Sequence, residues 1–317
     1  MREFQSRRGN LDNYSKQASA ETPLSRPLEI GWNLLVLLRP KHWIKNFFVF
    51  APLLFSGHFR KIEDVYAVVL CFAVFCLVAS GIYTINDIVD REHDALSATN
   101  RHRPVASGKI SVGLAGACGM VLLLGALSFA WIVKLELFLF AFLYLANNLL
   151  YSLYIKEKVI ADVISIAAGF VVRVLAGAAA IGVEASQWLL VCTFSVSLLL
   201  GFGKRRAELF HGRDVKVVSG IYTPEKLDHM ISVSAAITLV SYLLYVVSPE
   251  SVVRFRGQEM VYTVPFAVYG IFRFVAKIQE GKCKDPVHLI YSDKISLLNI
   301  GFWFLTAAAI LYKAYEL

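Results

Sequence analysis

The fold of this chain is decided by residues 65–104, which read VYAVVLCFAVFCLVASGIYTINDIVDREHDALSATNRHRP. The stretch begins with an apolar run of about 20 residues, the length that an α-helix needs to cross the hydrocarbon core of a bilayer. A dense group of ionisable residues follows at once, from Asn86 to Arg103. Charge at the end of a membrane helix commonly serves topology or function. The stretch therefore predicts a membrane protein with a polar site at a helix end.

The polar residues of this site follow a helical spacing. Asn86, Asp90 and Asp94 recur at every fourth position, and in a helix each step of four turns the side chain by only about 40°, so their oxygens line one face. Mg²⁺ takes hard oxygen ligands, usually one or two carboxylates completed by water and substrate phosphate. The spacing indicates a site for Mg²⁺ and a diphosphate, and the alternative is a solvated loop whose charges set topology.

The composition extends the membrane assignment to the whole chain. Hydrophobic residues make up 57% of the 317 residues and the mean hydropathy is +0.57, which excludes a single soluble domain. Residues 1–27 are polar, show no signal peptide, and are expected to form a disordered cytosolic tail before one transmembrane domain, 28–317. We predict nine spans, at 44–58, 65–86, 112–132, 135–152, 159–182, 186–203, 231–248, 260–278 and 295–313.

The distribution of Lys and Arg predicts the orientation. With nine spans, the even-numbered connections carry many more Lys and Arg residues than the odd-numbered ones, so the positive-inside rule places the even-numbered connections and the basic N-terminus in the cytoplasm. Part of the net charge of +8 then reflects topology or attraction to anionic lipids. The basic residues flank membrane helices, which argues against a nucleic-acid partner.

Two arginines fall inside predicted spans, Arg173 and Arg273. Gly169 and Gly177 lie four residues to either side of Arg173, which indicates that this arginine faces the interior of a helix bundle. An intramembrane charge either binds substrate or pairs with a polar group on another helix, and both interpretations stay open for Arg173.

The spaced residues Asn86, Asp90 and Asp94 in a chain of about nine spans resemble the first aspartate-rich motif of the UbiA superfamily of intramembrane transferases. Further segments resemble its decaprenyl-phosphate phosphoribosyltransferase branch. They are RPKHWIKN at 39–46, RHRPVASG at 101–108, GKRRAEL at 203–209, and Asp285-Pro286 with Asp293-Lys294.

The resemblance implies an all-α bundle of about nine helices with an active-site mouth facing the cytoplasm, in a bacterial-type inner (plasma) membrane. It implies transfer of a phosphoribosyl group from 5-phosphoribosyl 1-diphosphate to a polyprenyl phosphate, with Mg²⁺ as cofactor. A homo-oligomer stays open.

The site residues expected from the motifs fall into three groups. Asp87, Asp90 and Asp94 are assigned to catalysis, and Asn86, Asp90 and Asp94 to the metal. The expected substrate-binding residues are Lys45, Arg101, Arg103, Tyr151, Lys156, Asp162, Arg173, Lys204, Arg205 and Glu208.

One departure from the resemblance concerns the second half of the chain. Members of the superfamily that prenylate aromatic rings typically carry a second Asp-x-x-x-Asp pair, whereas here Asp162 is followed at the fourth position by Ile166. Asp162 is expected to orient Lys156 or a ribose hydroxyl, or to cap the following helix.

Two other functions stay open. One is prenyl transfer from an isoprenyl diphosphate to an aromatic or quinone-precursor acceptor. The other is a lipid carrier or transporter, although transporters place ionisable groups near the bilayer midplane and these charges gather at one side.

Overall fold

The computed structural model of the protein describes residues 25–97, 100–210, 222–281, 289 and 292–316. These residues form helices joined by turns, with no β-strand among them, as predicted. Residues 1–24 of the expected tail and the pair Asp285-Pro286 lie outside the described residues. The first described helix begins at Ser25, three residues before the predicted domain boundary.

The α-helices of the described residues are, in chain order, α1 Ser25–Leu38, α2 Ala51–Phe55, α3 Ile62–Val89, α4 Arg91–Leu96, α5 Val112–Val133, α6 Leu135–Leu150, α7 Ala161–Ala180, α8 Gln187–Phe210, α9 Pro224–Val247, α10 Pro249–Arg254, α11 Val264–Gln279 and α12 Lys294–Glu316. Tighter 3₁₀ helices lie at Pro40–Phe50, His58–Arg60 and Glu259–Thr263, and a π-helical turn lies at Tyr151–Ile155.

Eight helices in the described part of the chain are long and apolar enough to cross a membrane. They coincide with eight of the nine predicted spans, which confirms a multi-pass membrane protein. The main differences in length are at α8, which continues seven residues beyond the predicted end at 203, and at α9, which begins seven residues before the predicted start at 231. The basic segment 204–206 therefore lies on α8 itself.

The prediction of a regular span at 44–58 is wrong. The 3₁₀ helix Pro40–Phe50 occupies most of it and gives way to the short α2, where Pro52 has no N–H to continue a helical hydrogen bond. Asn46 is buried and its side-chain amide donates to the Cys76 sulfur of α3 at 3.2 Å. A 3₁₀ helix rises about 2.0 Å per residue, so these 11 residues reach farther than an α-helix of equal length.

The chain divides into two compact units, with boundaries after His42, Ala79 and Leu123. The first unit contains α1, the end of α3, α4 and most of α5. Its buried apolar residues include Leu37 of α1 together with Val105, Ile110 and Ala115. Here α3 and α5 pack closely through small residues, since a Cβ at Gly81 would overlap the Leu123 side chain.

The second unit contains the 3₁₀ helix Pro40–Phe50 from Trp43 onward, the first part of α3 and α6 to α12. Its main apolar core joins α7, α8, α9 and α11 through residues such as Val163, Leu199, Ile231 and Ile278. Gly177 of α7 lies directly against the backbone of Val49, where a Cβ would overlap the Val49 carbonyl oxygen. A side chain at position 177 would therefore separate α7 from the 3₁₀ helix.

Replacing Gly177 by alanine should lower the stability of the second unit. Overpacking of this kind costs about 1–3 kcal/mol or more, which exceeds the gain in helix propensity from glycine to alanine of about 1 kcal/mol. We expect a lower midpoint of thermal unfolding in detergent. Gly125→Ala is the control, since this helical glycine has open space around it, and its midpoint should stay equal or rise.

Candidate functional site

The first polar cluster comprises Asn86, Asp87, Asp90, Asp94 and Arg103. Helix α3 ends at Val89 and α4 begins at Arg91, but the helical hydrogen bonds continue through the junction. The Asp90 amide donates to the Asn86 carbonyl at 2.9 Å, and the Asp94 amide donates to the Asp90 carbonyl at 2.8 Å. The three spaced residues thus follow one another at one-turn intervals, as their spacing predicted.

Arginines hold two of the carboxylates in this cluster. Arg103 lies 3.3 Å from Asp87 and also pairs with Asp94, while Arg39 forms an ion pair with Asp87. Asn100 donates to Asp94 at 3.0 Å. The exposed fractions of Asp87 and Asp94 are 2% and 3%. Charges this buried persist when they are paired and hydrogen-bonded, so these contacts fix the loop 100–110 against the end of α3.

Asn86, Asp90 and Asp94 are the predicted ligands of a cation. Asn86 and Asp90 are half-buried and present hard oxygens one turn apart, which fits an ion that takes one or two carboxylates and completes its shell with water and phosphate. Asp94 contacts Arg103 and Asn100. No three His, Cys, Asp or Glu side chains gather into a metal site among the described residues.

The second polar cluster lies in the second unit and centres on Asp162, which is fully buried. Arg205 of α8 donates through Nε to an Asp162 carboxylate oxygen at 2.8 Å and through Nη1 to Glu208 at 2.8 Å. Its Nη2 lies 3.5 Å from the hydroxyl of Tyr151, at the start of the π-helical turn. Lys156 is half-buried and follows that turn. One guanidinium therefore joins three other residues of the predicted substrate site, Asp162, Glu208 and Tyr151.

Tyr222, two residues before the start of α9, completes this cluster. Its hydroxyl donates to Asp162 at 3.2 Å and accepts from the Ile160 amide at 2.7 Å. Ile160 has φ of +67°, a conformation that a β-branched residue adopts only when its surroundings hold it there. Burial raises the pKa of Tyr222 to about 12, so the hydroxyl keeps its proton at neutral pH.

Asp162 contacts two residues that were not among its predicted partners. It accepts hydrogen bonds from Arg205 and Tyr222, while the predicted roles toward Lys156 or a ribose hydroxyl stay predictions. The N-cap of α7 is Ile160, which has no side-chain capping bond. The expectation that Asp162 caps α7 is therefore wrong.

Lys204 is 55% exposed in its side chain and lies 3.8 Å from Glu208. Along α8 it falls on the same stripe as Cys192, Val196 and Leu200, since these residues are spaced by four. Those three residues line a cavity of about 470 Å³ between α8, α9, α11 and α12. We call it the tail cavity.

The tail cavity is lined mainly by apolar and aromatic side chains, among them Phe48, Ile271, Phe274 and Trp303. From Cys192 to Lys204 the helix rises about 18 Å. A molecule with an anionic head and a long apolar tail could therefore bind along α8 with its head at Lys204.

A family model described as the UbiA prenyltransferase family matches residues 47–298. This chain belongs to the UbiA prenyltransferase family. It is 29% identical to decaprenyl-phosphate phosphoribosyltransferase of Mycolicibacterium smegmatis, over 95% of this chain and 99% of the relative. It is 33% identical to the Corynebacterium glutamicum protein of the same name, over 85% and 83%.

The fold of this UbiA family member matches a solved structure. A UbiA homologue from Archaeoglobus fulgidus, bound to GPP and Mg²⁺, superposes with a TM-score of 0.64, covering 90% of this chain and 98% of that one. The two are 19% identical, so the comparison concerns the fold alone. The family and the fold together identify the protein as a membrane-embedded transferase.

Arg173 lies inside α7 of this UbiA protein and is 4% exposed. It donates to Asn46 at 2.8 Å, to the Tyr144 hydroxyl at 2.7 Å and to the Gly169 carbonyl at 3.0 Å. Its guanidinium also lies 4.5 Å from the centre of the Tyr144 ring. Arg173 faces the interior, as predicted. Its contacts with Asn46 and Tyr144 agree with the alternative in which Arg173 pairs with polar groups of other helices.

The remaining predicted residues occupy varied surroundings. Arg101 is exposed and Lys45 is half-buried. Arg273 pairs with Asp293, and the hydrogen bonds from Arg273 and Ser296 hold the pKa of the Asp293 carboxyl well below its usual range. Asp293 thus begins α12 as a charged cap.

Two residues of the clusters were not predicted as site residues. Arg39 falls within the segment 39–46 that carried the resemblance, and this segment was the available signal. For Tyr222 the sequence gives only a weak signal, which is its position next to Thr223-Pro224, the start of α9.

Proposed function

We propose that this protein transfers the 5-phosphoribosyl group from 5-phosphoribosyl 1-diphosphate to a polyprenyl phosphate, with Mg²⁺, at the cytoplasmic face of a bacterial inner membrane. The observation that carries the proposal is that Arg205 is the partner of Asp162. Where aromatic prenyltransferases of the superfamily are expected to have a second aspartate pair, this chain has a cationic cluster, which suits phosphate groups. The names of the relatives support the same reaction.

The first polar cluster is assigned to the diphosphate of the donor. Asn86 and Asp90 would hold the Mg²⁺ ion, with Asp94 a further predicted ligand. When bound, the ion neutralises charge on the departing diphosphate. Asp87 and Asp94 hold Arg103, which would contact the same anion. Arg101, Lys45 and Lys156 are the predicted contacts for the 5-phosphate.

The acceptor needs no strong general base. A phosphate monoester has its second pKa near 6 and is largely a dianion at neutral pH. One of its oxygens forms a bond to C1 of the ribose while the C1–O bond to diphosphate breaks, and the diphosphate leaves with the electron pair. The protein then contributes positioning and charge stabilisation. Lys204 and Arg205 would position the acceptor phosphate, with Tyr151, Glu208 and Asp162 holding Arg205 in place.

The test is direct. Purified protein in detergent receives Mg²⁺, labelled 5-phosphoribosyl 1-diphosphate and a polyprenyl phosphate, and label in the organic phase is measured. We expect a labelled lipid that EDTA abolishes. Absence of label from folded protein with several chain lengths would overturn the proposal. Activity instead with an isoprenyl diphosphate and an aromatic acceptor would establish prenyl transfer.

Replacing Lys204 by alanine should weaken binding of the lipid acceptor. A hydrogen bond to a charged group contributes about 1.5–3 kcal/mol, so we expect the KM for polyprenyl phosphate to rise about ten- to a hundredfold, with the KM for the donor unchanged. Lys277→Ala is the matched control, since Lys277, like Lys204, lies within the last two turns of a long helix and pairs with a glutamate, Glu280, at 3.2 Å. Equal effects of the two substitutions on the lipid KM would contradict the assignment.

A further inference from the structure

A second apolar cavity in the same unit shares a lining residue with the tail cavity. Its volume is about 280 Å³, and its lining includes Phe55, Phe304, Ala307 and Ala308. Trp303 of α12 belongs to the walls of both cavities. Its indole therefore stands between two apolar spaces.

Trp303 is held in this position by hydrogen bonds. Its indole N–H donates to the Tyr242 hydroxyl at 2.9 Å, and that hydroxyl lies 2.6 Å from the hydroxyl of Thr263. The Thr263 hydroxyl in turn donates to the Met260 carbonyl at 2.6 Å. Buried networks of this kind rigidify the groups that they join. The indole is thus a fixed wall, and a tail that reaches it must stop or turn.

We propose that Trp303 limits how far the isoprenoid tail of the acceptor enters the protein and thereby selects its chain length. This inference rests on the proposed function, because it takes the occupant of the tail cavity to be a polyprenyl phosphate with its head at Lys204. The hydrocarbon of a bilayer is as apolar as the lining of this cavity, so burial of the isoprenoid tail alone discriminates little between lipids of different chain length. Shape decides instead, and Trp303 is the residue whose removal joins the two cavities.

The small side chains beyond Trp303 support the same conclusion. Ala307 and Ala308 leave the second cavity open, and Trp303 separates it from the tail cavity. Filling the second cavity should therefore change nothing while Trp303 is present. Filling the second cavity should matter only after Trp303 has been removed. This conditional effect is expected only if the Trp303 side chain is the wall between the two cavities.

The experiment measures binding, so that it is independent of transfer activity. Native mass spectrometry compares the retention of polyprenyl phosphates of increasing chain length by the wild type and by Trp303→Ala. We expect the ratio of long to short lipid bound to rise about tenfold, the lower end of what a single methylene achieves in an apolar enzyme pocket. Phe302→Ala is the control, since Phe302 is an aromatic residue of the same helix, is 49% exposed and lines neither cavity.

Two further variants make the test robust. Ala308→Phe should leave the wild-type ratio unchanged and should restore that ratio in the Trp303→Ala background. Tyr242→Phe removes the hydroxyl that holds the indole without deleting a ring, so an intermediate rise is expected even if Trp303→Ala folds poorly.

An unchanged ratio of long to short lipid bound in folded Trp303→Ala and Tyr242→Phe would contradict the role of Trp303 in limiting the tail, while leaving the proposed transfer intact. A wild type that retains no polyprenyl phosphate of any length would overturn both.

Discussion

Asp90→Ala is expected to abolish transfer while the protein stays folded. Asp90 is half-buried at the junction of α3 and α4, and it is the predicted ligand of the ion that the diphosphate binds. Removing a group that stabilises charge on the leaving diphosphate should lower kcat by about 10² to 10³-fold, as for other preorganised electrostatic contacts. The measurement is the rate of lipid labelling over a range of Mg²⁺ concentrations, together with thermal unfolding.

Glu92→Ala is the matched control for Asp90. Glu92 carries the same charge two residues later, and it is exposed. We expect near-wild-type activity and an unchanged Mg²⁺ requirement. If Glu92→Ala impaired transfer as strongly as Asp90→Ala, the general negative charge of this segment would be responsible and the assignment of Asp90 would fail.

The second large effect is expected from Arg205→Ala, which should reduce both stability and activity. Asp162 is fully buried, and Arg205 pairs with it at 2.8 Å. Removing one partner of a buried pair costs about 3–5 kcal/mol because the other charge is left uncompensated. The midpoint of thermal unfolding should therefore fall by several degrees, and transfer should be lost.

A double substitution separates the structural role of this pair from its role in transfer. Asp162→Leu combined with Arg205→Met replaces both charges by apolar groups, which is often close to neutral for stability. We expect the unfolding midpoint to recover and the activity to stay absent. Recovery of activity as well would show that the pair serves folding alone.

Arg206→Ala provides the comparison on the same helix. Arg206 pairs with Asp228 at 3.0 Å, but the Asp228 side chain is 31% exposed. Water solvates an exposed carboxylate that loses its partner, so we expect the free energy of unfolding to fall by no more than about 1 kcal/mol. A larger loss than that of Arg205→Ala would contradict the importance given to the burial of Asp162.

Regular features of the fold could be predicted because they depend on local sequence. Apolar runs of the required length located eight spans, and the four-residue spacing of Asn86, Asp90 and Asp94 correctly predicted consecutive helical turns. The segment 44–58 was mistaken for a regular span because it is apolar enough, while its 3₁₀ geometry depends on contacts with α3 and α7 that are remote in sequence. Gly177 shows the same dependence, since its close contact is with Val49.

The partners of the site residues could not be predicted for the same reason. The motif containing Asp87 gives no indication that Arg39, 48 positions earlier, would bind it. The motif containing Asp162 likewise leaves open whether Lys156, six residues away, or Arg205, 43 residues away, is its partner. Sequence spacing identifies residues that share a helix face, whereas contacts between helices are set by tertiary packing.

The 3₁₀ helix Pro40–Phe50 also bears on how the chain is inserted into a membrane during synthesis. It leaves the ribosome before α3, yet it contains Lys41, Lys45 and Asn46, and insertion of such polar side chains alone is unfavourable. By contrast, α3 has the highest hydropathy among the eight long helices, 2.6. Because the buried Asn46 amide donates to Cys76 of α3, we expect the two segments to enter the bilayer together as a hairpin. Insertion of the N-terminal part would then follow translation of α3.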